Sequence, residues 1–182
     1  METIKCIKER RSIRKFKDDK IEDNIINEII DAASYAPSWK NSQIARYIVI
    51  ENREVIDKIA DECVLGFEYN TKTLKKSPVL VIVNVEIGKS GFEKDGSYST
   101  PKEDRWENFD AGIATQTFCL AAHDKGIGTV IMGIFDEYKV AEIVDIPENQ
   151  KIVAFIAMGY PQGDIPVAPK RKPVDELVTY IK

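Results

Sequence analysis

Two polar clusters near the N-terminus hold the residue types best suited to binding chemistry. The first places Arg10, Arg11 and Arg14 within five residues, around Ser12. A guanidinium group offers a rigid fork of N–H donors that matches phosphate oxygens. The second cluster, residues 36–43, has the sequence Ala-Pro-Ser-Trp-Lys-Asn-Ser-Gln, whose hydroxyl and amide groups can bond the edge of a planar ring. Together the two clusters favour a bound cofactor that carries a phosphate.

Residues that would support other chemistry are scarce. His123 is the single histidine, which excludes a multi-histidine metal site, and we expect it in the last turn of a helix. Cys6, Cys63 and Cys119 are widely spaced and form no C-x-x-C pair, which predicts reduced, partly buried thiols. The glycines in residues 126–128 do not fit the G-x-G-x-x-G fingerprint. We therefore expect no metal, and a phosphate held by arginines instead of a glycine loop.

Composition and charge predict a globular protein without nucleic-acid or membrane partners. The 182 residues, 43% hydrophobic and 31% charged, fit one domain over residues 1–182 with a sizeable core. A net charge of -4 and a pI near 5.2 argue against nucleic acid and anionic membranes as partners. The charged N-terminus does not resemble a signal peptide, so we predict a cytoplasmic protein. The basic run from Lys5 to Lys17 could also be a solvated face.

The apolar pattern alternates between helical and strand spacing, and it predicts an α+β fold in which helices flank a central mixed β-sheet. Val79 to Val85 is a continuous run rich in β-branched residues, which places this strand in the sheet centre. A buried central helix should end at Gly126 with a left-handed C-cap. The predicted helices cover about 2–9, 23–36, 53–63 with a further piece to 76, 106–125 and 137–144. The predicted strands cover 47–50, 79–85, 129–134 and 152–158.

Two segments differ from this alternation. Residues 88–103 are rich in Gly, Ser, Lys and Asp, which favours a functional flap or a mobile segment. Residues 161–182 contain four prolines, at positions 161, 166, 169 and 173, and should form an extended arm. Within this arm, residues 177–181 resemble an edge strand that needs a sheet to pair with. The arm could dock on a partner subunit or on its own sheet.

The two clusters are followed by Gly159-Tyr160-Pro161 and by the basic tail residues Lys170-Arg171-Lys172-Pro173. In the order of these motifs the chain resembles the FMN-dependent nitroreductase family. The resemblance covers nearly the whole chain. It implies an FMN-dependent oxidoreductase that takes hydride from NADH or NADPH and passes it to an organic acceptor, such as a nitroaromatic or a quinone, in a ping-pong cycle. It also implies a homodimer with two FMN sites at the interface and a C-terminal strand exchanged between subunits.

The resemblance also assigns cofactor-binding residues. Those at the flavin phosphate and ring are Arg10, Ser12 and Arg14, with Arg11 contributing locally and Lys170 or Arg171 completing the phosphate site. Those of the turn that lies against the ring of the other subunit are Pro37, Ser38 and Trp39, organised by Asn41 and Gln43. Those near the pyrimidine end are Lys72 and, as a neighbouring polar contact, Asn70. Those whose backbone faces flavin N5 are Met132 and Gly133.

The implied chemistry needs no catalytic side chain. Hydride arrives at flavin N5 and leaves from the same atom, so a general base is unnecessary. A fixed cation such as Arg14 or Lys72 would stabilise the negative charge of the reduced ring. Where related sequences continue the second cluster as Gln-Pro-Trp, this chain has Gln43-Ile44-Ala45, which leaves the acceptor open. The alternatives are a flavin-binding redox sensor with little turnover, and reductive dehalogenation or dehydrogenation on the same flavin.

Overall fold

A four-stranded antiparallel β-sheet forms the centre of the structure, a computed structural model that describes residues 2–182. The strands are β1 (Ala45–Ile50), β2 (Val79–Glu86), β3 (Gly128–Met132) and β4 (Gln150–Gly159). Their order across the sheet is β1-β2-β4-β3. The predicted run Val79 to Val85 is buried along its whole length because it lies in a central strand that is covered on both faces.

Six α-helices lie within the described residues. They are α1 (Thr3–Glu9), α2 (Asp23–Ser34), α3 (Arg53–Glu62), α4 (Glu68–Leu74), α5 (Arg105–Asp124) and α6 (Glu137–Ile143). Side-chain caps begin two of them: Asn52 Oδ1 accepts the Glu54 N–H at 2.9 Å, and Asp136 Oδ1 accepts the Tyr138 N–H at 3.1 Å. Helix α5 ends before Gly126, whose φ of +78° is the predicted left-handed cap. No helix of residues 2–182 is long and apolar enough to cross a membrane.

The helices cover the two faces of the sheet, and the alternation of side chains along β2 divides the core in two. Leu80 and Ile82 pack in one cluster with residues of α3, α4 and α6. Val81 and Val83 pack in the other cluster with residues of α2 and α5. The α+β class is therefore confirmed. All four strands pair antiparallel, in contrast to the expected mixed sheet, and the parallel component is one isolated bridge between Ser12 and Thr129.

The predicted elements agree with the structure except near their ends and in one connection. The helical piece expected to continue from α3 is a separate helix, α4, because Leu65 and Gly66 in the connection adopt left-handed φ values of 51° and 70°, which a continuous helix does not allow. Strand β3 stops at Met132 instead of residue 134. Residues 88–103 contain turns and one isolated bridge, between Phe92 and Tyr98.

The C-terminal arm, residues 161–182, is exposed along its length except at Pro161, which is partly buried. Its regular structure is one short 3-10 helix, Val174–Glu176. The edge strand predicted at 177–181 is wrong for the single chain, because these residues reach no sheet edge and their backbone groups have no strand to pair with. Ile181 is 97% exposed and Leu177 is 67% exposed. Exchange of a strand between subunits stays a prediction.

Candidate functional site

The basic segment, residues 10–17, lies along the edge of β3 and against the start of the C-terminal arm. The Ile13 N–H donates to the Thr129 carbonyl oxygen at 2.9 Å. Further along, the Lys17 N–H donates to the Tyr160 carbonyl oxygen at 2.9 Å. Gly128 permits this approach, since a Cβ atom there would lie 2.8 Å from the side chain of Ile13. The backbone of the segment is therefore fixed, while the side chains of Arg14, Lys15 and Lys17 remain exposed.

The basic segment and the arm enclose a groove of about 280 Å³. Ser12, Arg14 and Lys15 line one side. Pro161 and Gln162 line the other, where the Gln162 N–H donates to the Lys15 carbonyl oxygen at 3.0 Å. The remaining lining residues are Ile13, Asp164 and Pro166. Two exposed cations and a hydroxyl at one groove form a donor set that suits an anion such as phosphate.

The neighbouring arginines have different contacts. Arg11 turns back toward α1, where its Nη1 donates to the carbonyl oxygens of Lys8 at 2.7 Å and Arg10 at 2.8 Å. A cation at this position complements the carbonyl groups at the C-terminus of a helix. Its Nε is buried and has no hydrogen-bond partner within the described residues. Arg11 therefore holds the end of α1, whereas Arg14 is free of such a contact in the described chain and faces solvent.

The second predicted cluster forms a compact turn, residues 36–43, which we call the 36–43 turn. Three of its residues have left-handed φ values: Lys40 at 46°, Asn41 at 54° and Gln43 at 48°. Such a conformation costs about 1–3 kcal/mol for each residue other than glycine, although asparagine tolerates it better. The Ser38 Oγ accepts the Gln43 N–H at 2.9 Å and closes the turn. Backbone strain of this kind persists only where the surroundings hold it in place.

Helix α5 and the 88–103 loop fix the position of the 36–43 turn through direct contacts. The Trp39 N–H donates to Asp110 Oδ2 at 2.9 Å, and the Ser90 hydroxyl donates to the same oxygen at 2.7 Å. The Trp39 ring packs against Trp106 with 4.9 Å between ring centroids. Outside, Lys40 Nζ pairs with Glu93 at 3.0 Å. Asp110 was not predicted, since a lone carboxylate in a helix is typical of a solvated face, but its apolar neighbours Ala111 and Ala114 could have indicated burial.

The 36–43 turn also lines a cavity of about 290 Å³ between α2, β1 and α5. Its walls are mostly apolar, and Pro37, Ser38, Gln43 and Asp110 contribute to them. Tyr47 lines the same cavity, and its burial raises the pKa of its hydroxyl to about 12. The two predicted clusters therefore border two different spaces within one chain: the basic segment lines the groove, and the 36–43 turn lines this cavity.

Asn70 and Lys72 project from different faces of α4. Asn70 is 9% exposed, and its Nδ2 donates to the Ile134 carbonyl oxygen at 3.2 Å, which joins α4 to the segment after β3. The Lys72 side chain is 71% exposed and pairs with Glu68 at 2.7 Å. Two residues along a helix are separated by about 200° of rotation, so the two side chains cannot share one face. The structure brings Asn70, and not Lys72, to residues 132–134.

The end of β3 presents accessible backbone. Met132 is 4% exposed and belongs to the core, so its side chain points away from solvent. Gly133 is exposed, and a Cβ atom there would meet no other atom within 4 Å. Two aromatic residues beside Asn70, Phe67 and Tyr69, were not predicted; their ring centroids lie 5.6 Å apart and both rings are solvent-accessible. Because Gly133 is exposed and has no side chain, a planar ligand could approach its backbone without a steric clash.

The basic residues of the arm are not part of the groove in the single chain. Lys170 and Arg171 are exposed, and the arm residues that line the groove end at Pro166. Lys172 pairs with Glu176 at 3.6 Å within the arm itself. Their contribution to a phosphate site therefore stays a prediction that requires the arm to dock.

Groups that could act as a nucleophile or a base are held in unreactive states. Burial raises the pKa of the Cys6, Cys63 and Cys119 thiols, so they stay protonated near neutral pH. All three are free cysteines, and His123 lies in the last turn of α5, as predicted. Burial, followed by the nearby charge of Arg10, lowers the pKa of His123. Within residues 2–182, no group of three or more His, Cys, Asp or Glu side chains could hold a metal ion.

Known proteins are similar to this chain in sequence and in fold. The sequence pattern described as the Nitroreductase family matches residues 7–160. A candidate NADH dehydrogenase/NAD(P)H nitroreductase of Methanothermobacter thermautotrophicus is 33% identical over 165 residues, which cover 88% of this chain and 78% of that protein. An iodotyrosine deiodinase of Thermotoga neapolitana is 26% identical, with 95% of this chain and 96% of that protein covered.

The solved structures agree with these relatives. A nitroreductase family protein from Clostridium novyi NT superposes with a TM-score of 0.77 at 32% identity, covering 89% of this chain and 86% of that one. A BluB-like flavoprotein from Clostridium difficile 630 superposes with a TM-score of 0.79 at 27% identity, with each chain fully covered. The family pattern spans most of the chain, and the fold and the order of the motifs agree with it. The chain belongs to the nitroreductase family.

Proposed function

We propose that this protein is an FMN-dependent oxidoreductase that transfers hydride from NADH or NADPH to an organic acceptor, such as a nitroaromatic or a quinone, in a ping-pong cycle. The observation that carries the proposal is the groove between the basic segment and the arm. There, Arg14, Lys15 and Ser12 line one wall while the backbone behind them is pinned to Thr129. Cationic and hydroxyl donors carried on this pinned backbone fit the terminal phosphate of FMN.

The protein would bind and orient the cofactor, and FMN would supply the hydride chemistry at its N5 atom. Ser12 and Arg14 would hold the phosphate. Arg10 does not line the groove and its charge lies near His123, so its predicted contact with the phosphate would need a change of side-chain conformation. The exposed backbone at Gly133 would face the ring, with Asn70 fixing that segment through Ile134. The protonated thiols and the partly buried His123 fit a reaction in which no side chain moves a proton.

The second half of the site would come from another copy of the chain. The 36–43 turn is rigid, but it borders a different space from the groove within one chain, so the two halves would meet across a homodimer interface. The exposed arm supports the same arrangement, because its apolar residues Leu177 and Ile181 have no cover in the single chain. Docking of the arm would also bring Lys170 or Arg171 to the phosphate.

The names of relatives support the reaction class. One relative is an FMN reductase [NAD(P)H] of Bacillus subtilis, at 24% identity over 99% of this chain and 75% of that protein. We infer a small-molecule acceptor and a cytoplasmic location, with residues 1–182 acting as one domain.

The decisive experiment is the absorption spectrum of the purified protein, followed by release of the cofactor and its chromatographic identification. We expect a flavin spectrum and recovery of FMN. Steady-state oxidation of NADH and NADPH in the presence of a nitroaromatic or quinone acceptor then measures turnover. Recovery of FAD, or a protein that remains colourless after incubation with FMN, contradicts the proposal. Bound FMN without turnover favours the redox-sensing alternative.

Reductive dehalogenation is a second candidate, favoured by the Thermotoga neapolitana relative that is named an iodotyrosine deiodinase. The same groove and the same flavin would serve it, so the cofactor cannot separate the two functions. Halide release from an iodinated phenol under reducing conditions, measured beside nitroaromatic reduction, distinguishes them by the ratio of the two rates.

A further inference from the structure

Asp110 is a buried carboxylate that the proposed function does not use. Its side chain belongs to α5 and the residue is 4% exposed. No lysine or arginine within residues 2–182 forms an ion pair with it. Burying a charge without a counter-charge is costly, and hydrogen bonds must offset that cost. The role of Asp110 therefore depends on the groups that donate hydrogen bonds to its carboxylate.

Those groups are the backbone of the 36–43 turn and the start of the 88–103 loop. One oxygen, Oδ2, accepts both the Trp39 N–H at 2.9 Å and the Ser90 hydroxyl at 2.7 Å. A hydrogen bond to an ionised acceptor is stronger than a neutral one. Asp110 thus ties two segments that are far apart in sequence to a single atom on α5.

The position of the bond along the turn is informative. Lys40 and Asn41, which follow Trp39 directly, both have left-handed φ values. The Ser38–Gln43 bond closes the turn from within, but it does not fix the turn relative to the rest of the fold. The bond from Trp39 to Asp110 does so, at the residue where the strained backbone begins.

The loop is fixed at the same helix. The Gly88 N–H donates to Glu107 Oε1 at 2.7 Å, one helical turn before Asp110. Five residues after Gly88, the loop returns to the 36–43 turn through the ion pair between Glu93 and Lys40. Movement of either segment would therefore strain the other.

We propose that Asp110 is a positioning residue that fixes the 36–43 turn and the 88–103 loop in one relative geometry, so that the turn meets the flavin ring in a single orientation. This inference rests on the proposed FMN-dependent function. Asp110 acts through the Trp39 backbone and does not itself contact the cofactor.

The test compares Asp110→Ala and Asp110→Asn in the full-length protein. Three quantities are measured: hydrogen exchange of the Trp39 amide, the dissociation constant for added FMN, and the visible absorption spectrum of bound FMN. We expect Asp110→Ala to accelerate exchange at Trp39, to weaken FMN binding by about tenfold and to alter the flavin spectrum. Asp110→Asn should restore most of all three, because its amide oxygen can accept the same two hydrogen bonds.

Asn52→Ala is the matched control for a general loss of stability. It removes the N-cap of α3, away from the 36–43 turn. We expect it to lower thermal stability while leaving Trp39 exchange and the flavin spectrum unchanged. If the alanine variant at Asp110 does not fold, Ser90→Ala tests the hydrogen bond between the 88–103 loop and Asp110. This variant should accelerate hydrogen exchange within residues 88–103.

Two results overturn the proposal. The first is an Asp110→Ala protein with Trp39 exchange and flavin spectrum like those of the native protein. The second is an Asp110→Asn protein no better than the alanine variant in any of the three quantities. If the native protein binds no FMN, the proposed function fails, and the exchange rates at Trp39 still decide whether Asp110 positions the turn.

Discussion

The 36–43 turn and the C-terminal arm are both predicted to contact the cofactor. Within the single chain, only the turn is fixed by contacts with the rest of the fold. The turn is bound by Asp110, by the Trp39–Trp106 ring contact and by the ion pair from Lys40 to Glu93. Beyond Pro166, the contacts found in the described residues lie within the arm, such as the pair of Lys172 with Glu176.

The difference shows which part of the proposed site is already stabilised in the single chain and which part is not. A strained turn needs rigid support in every molecule, because its conformation is unstable without it. An arm that orders on docking loses conformational entropy only when it gains an interface. One half of the proposed site is therefore preorganised in the single chain, and we expect assembly to complete the other half.

Truncation after Pro166 tests this comparison most severely. The shortened chain keeps the groove residues and the bond from Gln162 to Lys15, but it loses Lys170, Arg171 and residues 177–181. We expect a monomer whose FMN affinity is lower by roughly 100-fold, since one or more charge-assisted hydrogen bonds of about 1.5–3 kcal/mol are removed. Sedimentation velocity and flavin titration measure the two effects.

A full-length double variant, Lys170→Ala with Arg171→Ala, is the control for the truncation. It should remain a dimer and still bind FMN weakly, which separates charge from assembly. A truncated protein that is a fully flavinated dimer would falsify the role given to the arm.

Gly128→Ala disturbs the groove, because Gly128 packs against the basic segment. The added methyl would lie 2.8 Å from Ile13, so the segment must move away from β3. We expect a loss of about 1–3 kcal/mol in the free energy of unfolding and weaker FMN binding. Gly112→Ala is the matched control, because a Cβ there meets nothing within 4 Å and alanine favours a helix. Denaturant unfolding of both variants checks this, and equal stabilities would contradict the close packing at Gly128.

Arg14→Ala and Lys72→Ala sharpen the assignment of cofactor contacts. Removing Arg14 from the groove should weaken FMN binding by about 1.5–3 kcal/mol. Removing Lys72 breaks an exposed pair with Glu68, and we expect no measurable change in either stability or FMN binding. Flavin titration of the two variants under identical salt gives the answer; a larger loss for Lys72 would restore it to the site.

An effect confined to high pH concerns Tyr47, on the strand beside the 36–43 turn. Its folded-state pKa of about 12 lies above the ordinary value of 10, so the folded state holds the proton more tightly. The part of the free energy of unfolding that is linked to this proton is fully present below pH 10. It is lost as the pH rises through 12, and the loss is on the order of 2 kcal/mol. Tyr47→Phe should therefore lose less stability between pH 9 and 12 than the native protein. Parallel pH profiles of unfolding for the two proteins would contradict the assignment.

Much of the fold could be predicted because the decisive signals are local. The β-branched run from Val79 to Val85 indicates a buried strand without any knowledge of its neighbours, and Gly126 indicates the end of α5. Residues 177–181 form no strand in the single chain, since a strand depends on a second strand, which this chain does not offer to them; strand exchange between subunits stays a prediction. An antiparallel or mixed sheet is likewise a matter of long-range pairing.

The site was predicted in part for the same reason. The clusters at 10–14 and 36–43 are contiguous, so their residue types are visible in sequence. The resemblance assigns Lys72 and Asn70 to the same end of the site, whereas the rotation of the helix turns their side chains to different faces. Asp110 could not be assigned, because its partners Trp39 and Ser90 are 71 and 20 residues away.

The ring contact between Trp39 and Trp106 also makes the protein report on itself. The chain has two tryptophans, and their centroids are 4.9 Å apart beside the 36–43 turn. All intrinsic tryptophan emission therefore originates from one place, without any label. Quenching of that emission on adding a cofactor, or its shift on dimerisation, would time the assembly of this region in stopped-flow experiments on the unmodified chain.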